Sequence, residues 1–197
     1  MKTLVNVKDL SVSYFTYAGE VQSVRGVSFD IESGKTTALV GESGCGKSVT
    51  SKALMGLIER PGVVKEGSQI FYEGKNILDF KEKEWLDFRG KECSMIFQDA
   101  LVSLNPTMMI GKQIMEKIRV HKKVSKQEAW AEAVQMLERV GIPNPELRMK
   151  QYPHEFSGGM RQRVMIAIAM TLNPDLLIAD EPTTALDVTV QADILDM

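Results

Sequence analysis

The sequence is poor in several features that would settle a function class at once. Of its 197 residues, two are cysteine (Cys45 and Cys93) and two are histidine (His121 and His154). Two cysteines are too few for a disulfide framework or a zinc site of their own, and they fit a reducing, cytoplasmic compartment. Long apolar runs are lacking too. The longest, Val164 to Met170, is seven residues, where a bilayer crossing needs ~20. Lys8 and Asp9 interrupt the N-terminal stretch before a signal-peptide core forms. Any membrane role is therefore expected to come through a partner. Nor is there an excess of one charge: Lys+Arg 24 against Asp+Glu 26 gives a net charge of −2, which offers no support for a generally basic nucleic-acid-binding surface. With 44% hydrophobic and 25% charged residues the chain is too apolar for disorder. Its length suits one domain of the usual ~150 residues with a small added lobe.

What is present reads as an α/β pattern. Val5, Val7, Leu10, Val12 and Tyr14 alternate with polar residues, as do Val27, Phe29 and Ile31, which predicts two half-buried strands. Thr36–Val40 is short and apolar toward its end, predicting a strand buried on both faces. Lys52–Ile58 has helical character. Ile70 and Tyr72 before Glu73-Gly74 suggest a short strand, Lys81–Phe88 a helix, and Ser94–Phe97 a buried strand ending at Gln98. From Asp99 to Tyr152 no strand pattern appears. Ser125-Lys126-Gln127-Glu128 is a capping box opening a helix with Trp130, Ala133, Leu137 and Val140 on one face, closed by Gly141. An apolar helix is predicted over Met160–Leu172, a buried strand over Leu176–Ala179, and a last helix from near Val188.

Gly41 to Ser48 (Gly-Glu-Ser-Gly-Cys-Gly-Lys-Ser) fits the pattern G-x-x-x-x-G-K-[ST] of a P-loop. Glycines let consecutive N–H groups turn inward around phosphate oxygens, and the following helix presents its positive end to the same anion. Lys47 supplies a mobile charge for β- and γ-phosphates and the Ser48 hydroxyl a ligand for Mg²⁺. Cys45 within the loop reads as a small filler. Asp180, ending a strand, is the matching carboxylate for Mg²⁺, and Glu181 is placed to orient or deprotonate an attacking water. Gln98, just past another strand, offers an amide to metal or water. Ser157-Gly158-Gly159 opens a helix and supports two readings, a simple N-cap or a second anion cradle completing the site of another copy.

This ordered set, together with Thr184-Ala185-Leu186-Asp187, resembles the ATP-binding subunit of an ABC transporter over nearly the whole chain. The stretches Gln98–Pro106 and Tyr152–Arg163 resemble the oligopeptide/dipeptide/nickel importer branch. The resemblance implies a P-loop NTPase core with a mostly parallel sheet, an N-terminal antiparallel β subdomain and an inserted α-helical subdomain. The corresponding division is 1–98, 99–159 and a return to the core over 160–197. It implies ATP and Mg²⁺ as cofactors, held by Gly41, Glu42, Ser43, Gly44, Cys45, Gly46, Lys47, Ser48 and Val49. Tyr14, with Tyr17 as its rival, would stack on adenine. Gln98 would sense the γ-phosphate and join Ser48 and Asp180 at the metal, with Glu181 and Lys47 in the hydrolytic step. Ser157, Gly158 and Gly159 would bind ATP on a facing subunit, and Asp187 would bridge the pair.

The implied partners are a second ATP-binding subunit, identical or related, transmembrane permease subunits, and indirectly an extracytoplasmic solute-binding protein. The implied location is the cytoplasmic face of the membrane, peripherally. Phe156 and Met160 depart from the commonest residues beside the signature glycines. The family continues beyond the point matching Met197 with another core strand and a switch histidine, which His121 and His154, both preceding Asp180, do not match. The expectation is a C-terminally truncated chain whose nucleotide binding survives better than its turnover. Two alternatives stand beside it: a soluble ABC-type ATPase of DNA repair or translation, and a non-hydrolysing nucleotide-binding fragment.

Overall fold

The computed structural model describes residues 2–98 and 103–182, and the chain divides into two compact units, Met1–Leu86 and Asp87–Met197. The first is built on a long antiparallel hairpin. Strands β1 (Thr3–Thr16) and β2 (Gly19–Glu32) pair along their length, and β1 carries β3 (Gly62–Val64) and β4 (Gln69–Tyr72) on its other edge. A two-residue strand β5 (Lys75–Asn76) follows the Glu73-Gly74 turn and pairs with β4. The alternation read from the sequence is realised in β1, where Val5, Val7, Leu10 and Val12 are buried, as is Ile70 across the sheet; in β2 it is weaker, with Phe29 and Ile31 half-buried and Val27 exposed. Helix α1 (Lys47–Leu54) buries Ala53 and Leu54.

Two expectations for this unit are corrected. Thr36–Val40 forms no strand, and Val40 is 93% exposed. Apolar composition gives a segment its tendency to extend, but regular β-structure requires a neighbouring edge, and no described strand pairs with these residues. The helix expected over Lys52–Ile58 begins five residues earlier and stops at Leu54. Gly56 ends the turn with φ +60 and lies so close to Trp85 that a Cβ would stand 2.5 Å from the indole.

Helix α2 (Glu82–Phe88) leads into the second unit, where β6 (Cys93–Ile96) pairs in parallel with β7 (Leu176–Ala179). β6 is buried throughout, whereas β7 alternates, with Leu177 40% exposed; the expectation of a buried strand over Leu176–Ala179 is corrected to one with every second residue exposed. Among the described residues, helices α3 (Ile110–His121), α4 (Lys126–Arg139), α5 (Pro145–Arg148) and α6 (Gly158–Met170) lie between the two strands. α3, α4 and α6 share one apolar cluster that includes Ile114, Ile118, Leu137 and Val164, joined by Phe156 from the segment before α6. The capping box at Ser125 forms as read: its hydroxyl accepts from the Glu128 N–H at 3.2 Å, and the Glu128 carboxylate accepts from the Ser125 N–H at 2.7 Å. The helix expected near Val188 lies outside the described residues.

Two cations close helix ends in this unit. Arg163 of α6 donates to the Val140 carbonyl at the end of α4, at 2.9 Å. Lys117 of α3 donates to the Ile168 and Ala169 carbonyls of α6, both at 2.8 Å, and to the Ser94 hydroxyl of β6 at 2.9 Å. Positive charge at a helix C-terminus is stabilising, and three acceptors match the three donors of an ammonium. Burial nevertheless lowers the Lys117 pKa to about 8 and pushes the neighbouring Cys93 thiol up to about 12, leaving that thiol protonated.

With its folded pKa below the unfolded value, Lys117 makes a contribution to stability that is complete above about pH 10.5 and lost as pH falls through about 8. Urea unfolding of the wild type and Lys117→Met from pH 7 to 10.5 is therefore expected to show their stability difference moving in favour of the wild type as pH rises through that window. A flat difference would remove the assignment.

Candidate functional site

The first unit carries the glycine-rich loop. Gly44 and Gly46 have φ +81 and +98, the left-handed region that side chains avoid. At Gly46 a Cβ would also stand 2.4 Å from the Ser23 carbonyl oxygen of β2, so this position is closed to any side chain by torsion and by space. Gly46 is the N-cap of α1 and contributes no side-chain cap, and the first turn holds no acidic residue. The positive end of the helix is thus left to whatever anion approaches. The turn is fixed from within: the Cys45 N–H donates to the Glu42 carbonyl at 3.3 Å, and the Thr50 N–H and hydroxyl both donate to the Gly46 carbonyl, at 2.8 and 3.0 Å.

Lys47 reaches back over this loop. Its Nζ donates to the Gly41 and Glu42 carbonyls at 2.8 and 2.9 Å and lies 4.0 Å from the Cys45 sulfur. Glu42 and Ser43 are exposed, while Ser48 and Val49 are half-buried in the first turn of α1. A cleft of about 490 Å³ runs beside the loop, lined by Gly44, Gly46, Lys47, Arg25 and Val40 among others. Of the two tyrosines read as rivals, Tyr14 is half-buried in β1 with its ring against Gly62, and Tyr17 stands fully exposed at the hairpin tip.

The second unit carries the other polar groups. Parallel register sets Ile96 beside Ala179, so Gln98 and Glu181 leave the sheet at the same end. The Asp180 N–H donates to the Ile96 carbonyl at 3.0 Å, extending the ladder by one bond. Asp180 is buried (8% exposed) and Glu181 is exposed. The Gln98 Nε2 donates to a Glu181 carboxylate oxygen at 3.1 Å, leaving the amide oxygen of Gln98 as a donor of the kind hard cations take. Glu181 has φ +48, in the left-handed region.

At α6 the Ser157 hydroxyl accepts from the Met160 N–H at 3.3 Å and caps the helix. A Cβ at Gly158 would meet nothing within 4 Å; the chain's own packing does not demand a glycine there. Thr184 to Asp187 and Asp99 to Val102 lie outside the described residues. Two residues that sequence reasoning did not single out belong to this setting. Lys117 binds the end of α6, and Gln162, 3% exposed on α6, donates its Nε2 to the Pro182 carbonyl at 2.6 Å. The available signal for Gln162 was an uncharged polar residue leading an apolar helix.

The chain is similar to known proteins in sequence and in fold. A family model described as "ABC transporter" matches residues 24–184. The oligopeptide transport ATP-binding protein OppD of Bacillus subtilis is 60% identical over 195 residues, 98% of this chain and 54% of that protein. The dipeptide transport ATP-binding protein DppD of Lactococcus lactis is 54% identical, covering 98% of this chain and 56% of that protein. The chain thus spans just over half the length of these curated relatives. Among solved structures, the ATP-binding cassette MJ0796, described as a dimeric post-hydrolysis state bound to ADP and Pi, superposes with a TM-score of 0.86 at 23% identity. That match covers 98% of this chain and 80% of that one, a likeness of fold.

The two glycines separate cleanly in a substitution test. Gly46→Ala is expected to destabilise the protein by at least about 1–2 kcal/mol, the cost of a left-handed L-residue before any clash. Gly158→Ala is expected to leave stability unchanged or raise it by up to about 1 kcal/mol. Thermal unfolding followed by circular dichroism checks both.

Proposed function

The chain belongs to the ABC transporter family, and from that premise we propose that it is the ATP-binding and ATP-hydrolysing part of an importer for oligopeptides or dipeptides. The observation that carries this reading is the loop, in which two left-handed glycines lead into an uncapped helix start with Lys47 folded over it. The solute class follows the relatives, whose names are those of oligopeptide and dipeptide transport proteins. Those names also weigh against a soluble ATPase of DNA repair or translation.

In this reading the N–H groups of Gly44 to Val49 surround the phosphates, with Glu42 and Ser43 shaping the loop entrance, and Lys47 exchanges its carbonyl partners for β- and γ-phosphate oxygens. Tyr14 stacks on the base. Among the described residues no group of three or more His, Cys, Asp or Glu forms a metal cage. The hydroxyl of Ser48, the carboxylate of Asp180 and the amide oxygen of Gln98 are instead the oxygen donors that suit Mg²⁺ carried in by a nucleotide. That ion would neutralise charge on the phosphates. Glu181 takes a proton from the attacking water as its oxygen bonds to the γ-phosphorus and the bond to the β-phosphate oxygen breaks.

Ser157, Gly158 and Gly159 serve the ATP of a second subunit, and Gly158 stands in open space as such a role requires. Segment 99–159 is the lobe that docks on permease subunits at the cytoplasmic face of the membrane, between the core segments 1–98 and 160–197. An extracytoplasmic solute-binding protein delivers the peptide. No helix among the described residues is long and apolar enough to cross a membrane.

Lys47→Ala is expected to weaken ATP binding by about 10- to 100-fold, the worth of hydrogen bonds to a charged group, measured by titration calorimetry; unchanged affinity would end the proposal. Glu181→Gln is expected to keep ATP binding, lower turnover by about 100-fold or more and accumulate a dimer in light scattering with ATP and Mg²⁺. Persisting turnover would dismiss Glu181 as the base.

A further inference from the structure

Glu181 is held in a conformation that its own chemistry opposes. A left-handed backbone is unfavourable for an L-residue, and the proline that follows biases Glu181 toward extended backbone instead. Such a residue persists only when its surroundings over-determine it. Three bonds do so here. Before Glu181, the Asp180 N–H is tied to the Ile96 carbonyl at 3.0 Å. On it, the carboxylate accepts from Gln98 at 3.1 Å. After it, the Pro182 carbonyl accepts from the Gln162 Nε2 at 2.6 Å. Pro182 has no N–H, so its carbonyl is its one backbone hydrogen-bonding group, and Gln162 occupies it.

The Gln162 amide is itself costly where it sits. It is 3% exposed on a helix whose following residues, Val164, Met165, Ile166 and Ala167, are buried and apolar. An amide in such a place is stable only with a partner. We propose that Gln162 is a positioning residue for Glu181: by gripping the Pro182 carbonyl it keeps Glu181 in the left-handed turn that aims its carboxylate at Gln98. Gln162 lies one turn along α6 from Ser157–Gly159 and touches no reacting atom. It also ties the helix that opens with those residues to the acid after β7, so displacement of α6 is felt at Glu181. This inference rests on the role given above to Glu181.

Three measurements test it. Gln162→Met keeps the unbranched shape and removes the donor; kcat is expected to fall by about 10- to 100-fold, the scale of an ångström-level misplacement, with KM for ATP within about twofold. Unchanged kcat, or an equal loss in ATP affinity, overturns the assignment. Amide hydrogen exchange is the readout that needs no turnover. Exchange at Asp180 and Glu181 should quicken in Gln162→Met while Leu176 to Ile178 stay protected; identical exchange overturns it. Gln162→Glu supplies the third. Its neutral acid can donate to the Pro182 carbonyl and its carboxylate cannot, so its turnover relative to wild type should fall as pH rises, with the circular dichroism unchanged. A pH-independent ratio overturns it. If the wild type shows no ATP turnover at all, the proposed function fails, while the exchange measurement still decides whether Gln162 holds the turn.

Discussion

The parallel ladder between Cys93–Ile96 and Leu176–Ala179 positions Gln98, Asp180 and Glu181, because its register stations Ile96 beside Ala179 and sends both chains out of the sheet at one end. Parallel strands never arise from a local turn; they need a long connection between them. Here the intervening residues are spent on the helices α3 to α6. The pairing therefore brings Gln98 and Glu181 within a hydrogen bond although 83 residues separate them. Slippage by one residue would turn the side chains of β7 to the opposite faces and separate the amide from the carboxylate.

The helices around that ladder are joined by a succession of end-caps. Arg163 on α6 closes α4, and Lys117 on α3 closes α6 while holding Ser94 of β6. Each cation satisfies carbonyls that would otherwise be orphaned at a helix end. The apolar cluster supplies the bulk of the cohesion, but it is non-directional. The caps add direction: they specify which helix end meets which strand, and so the place where α6 delivers Gln162.

Legibility from the sequence followed how local each feature is. The Ser125–Glu128 box, the Gly141 stop and the strands of the first hairpin were readable because their causes lie within a few residues. The phosphate loop was readable as a pattern, but the start of α1 was not, since Lys47–Ser51 are too polar to reveal a helical period. Thr36–Val40 has the apolar character of a strand, while the pairing that makes a strand is a property of a neighbour. The apolar run Leu176–Ala179 reads as a buried strand, but such a run does not say how many sides are covered. Lys117 is not legible in the sequence: among many lysines, nothing nearby in the chain marks the one whose acceptors come from two distant elements.

Gly46 and Gly158 look alike in a string of letters, yet they are fixed by different agents. At position 46 every side chain is barred twice, once by rotation about the N–Cα bond and once by the Ser23 carbonyl, so random mutation has no neutral exit from it and compensation elsewhere would have to redraw both β2 and the loop. At position 158 the interior sets no such bar. A gene copy released from service would drift there early and at 46 late, and the order of those losses among decaying duplicates would record which glycine answers to the fold and which to the work.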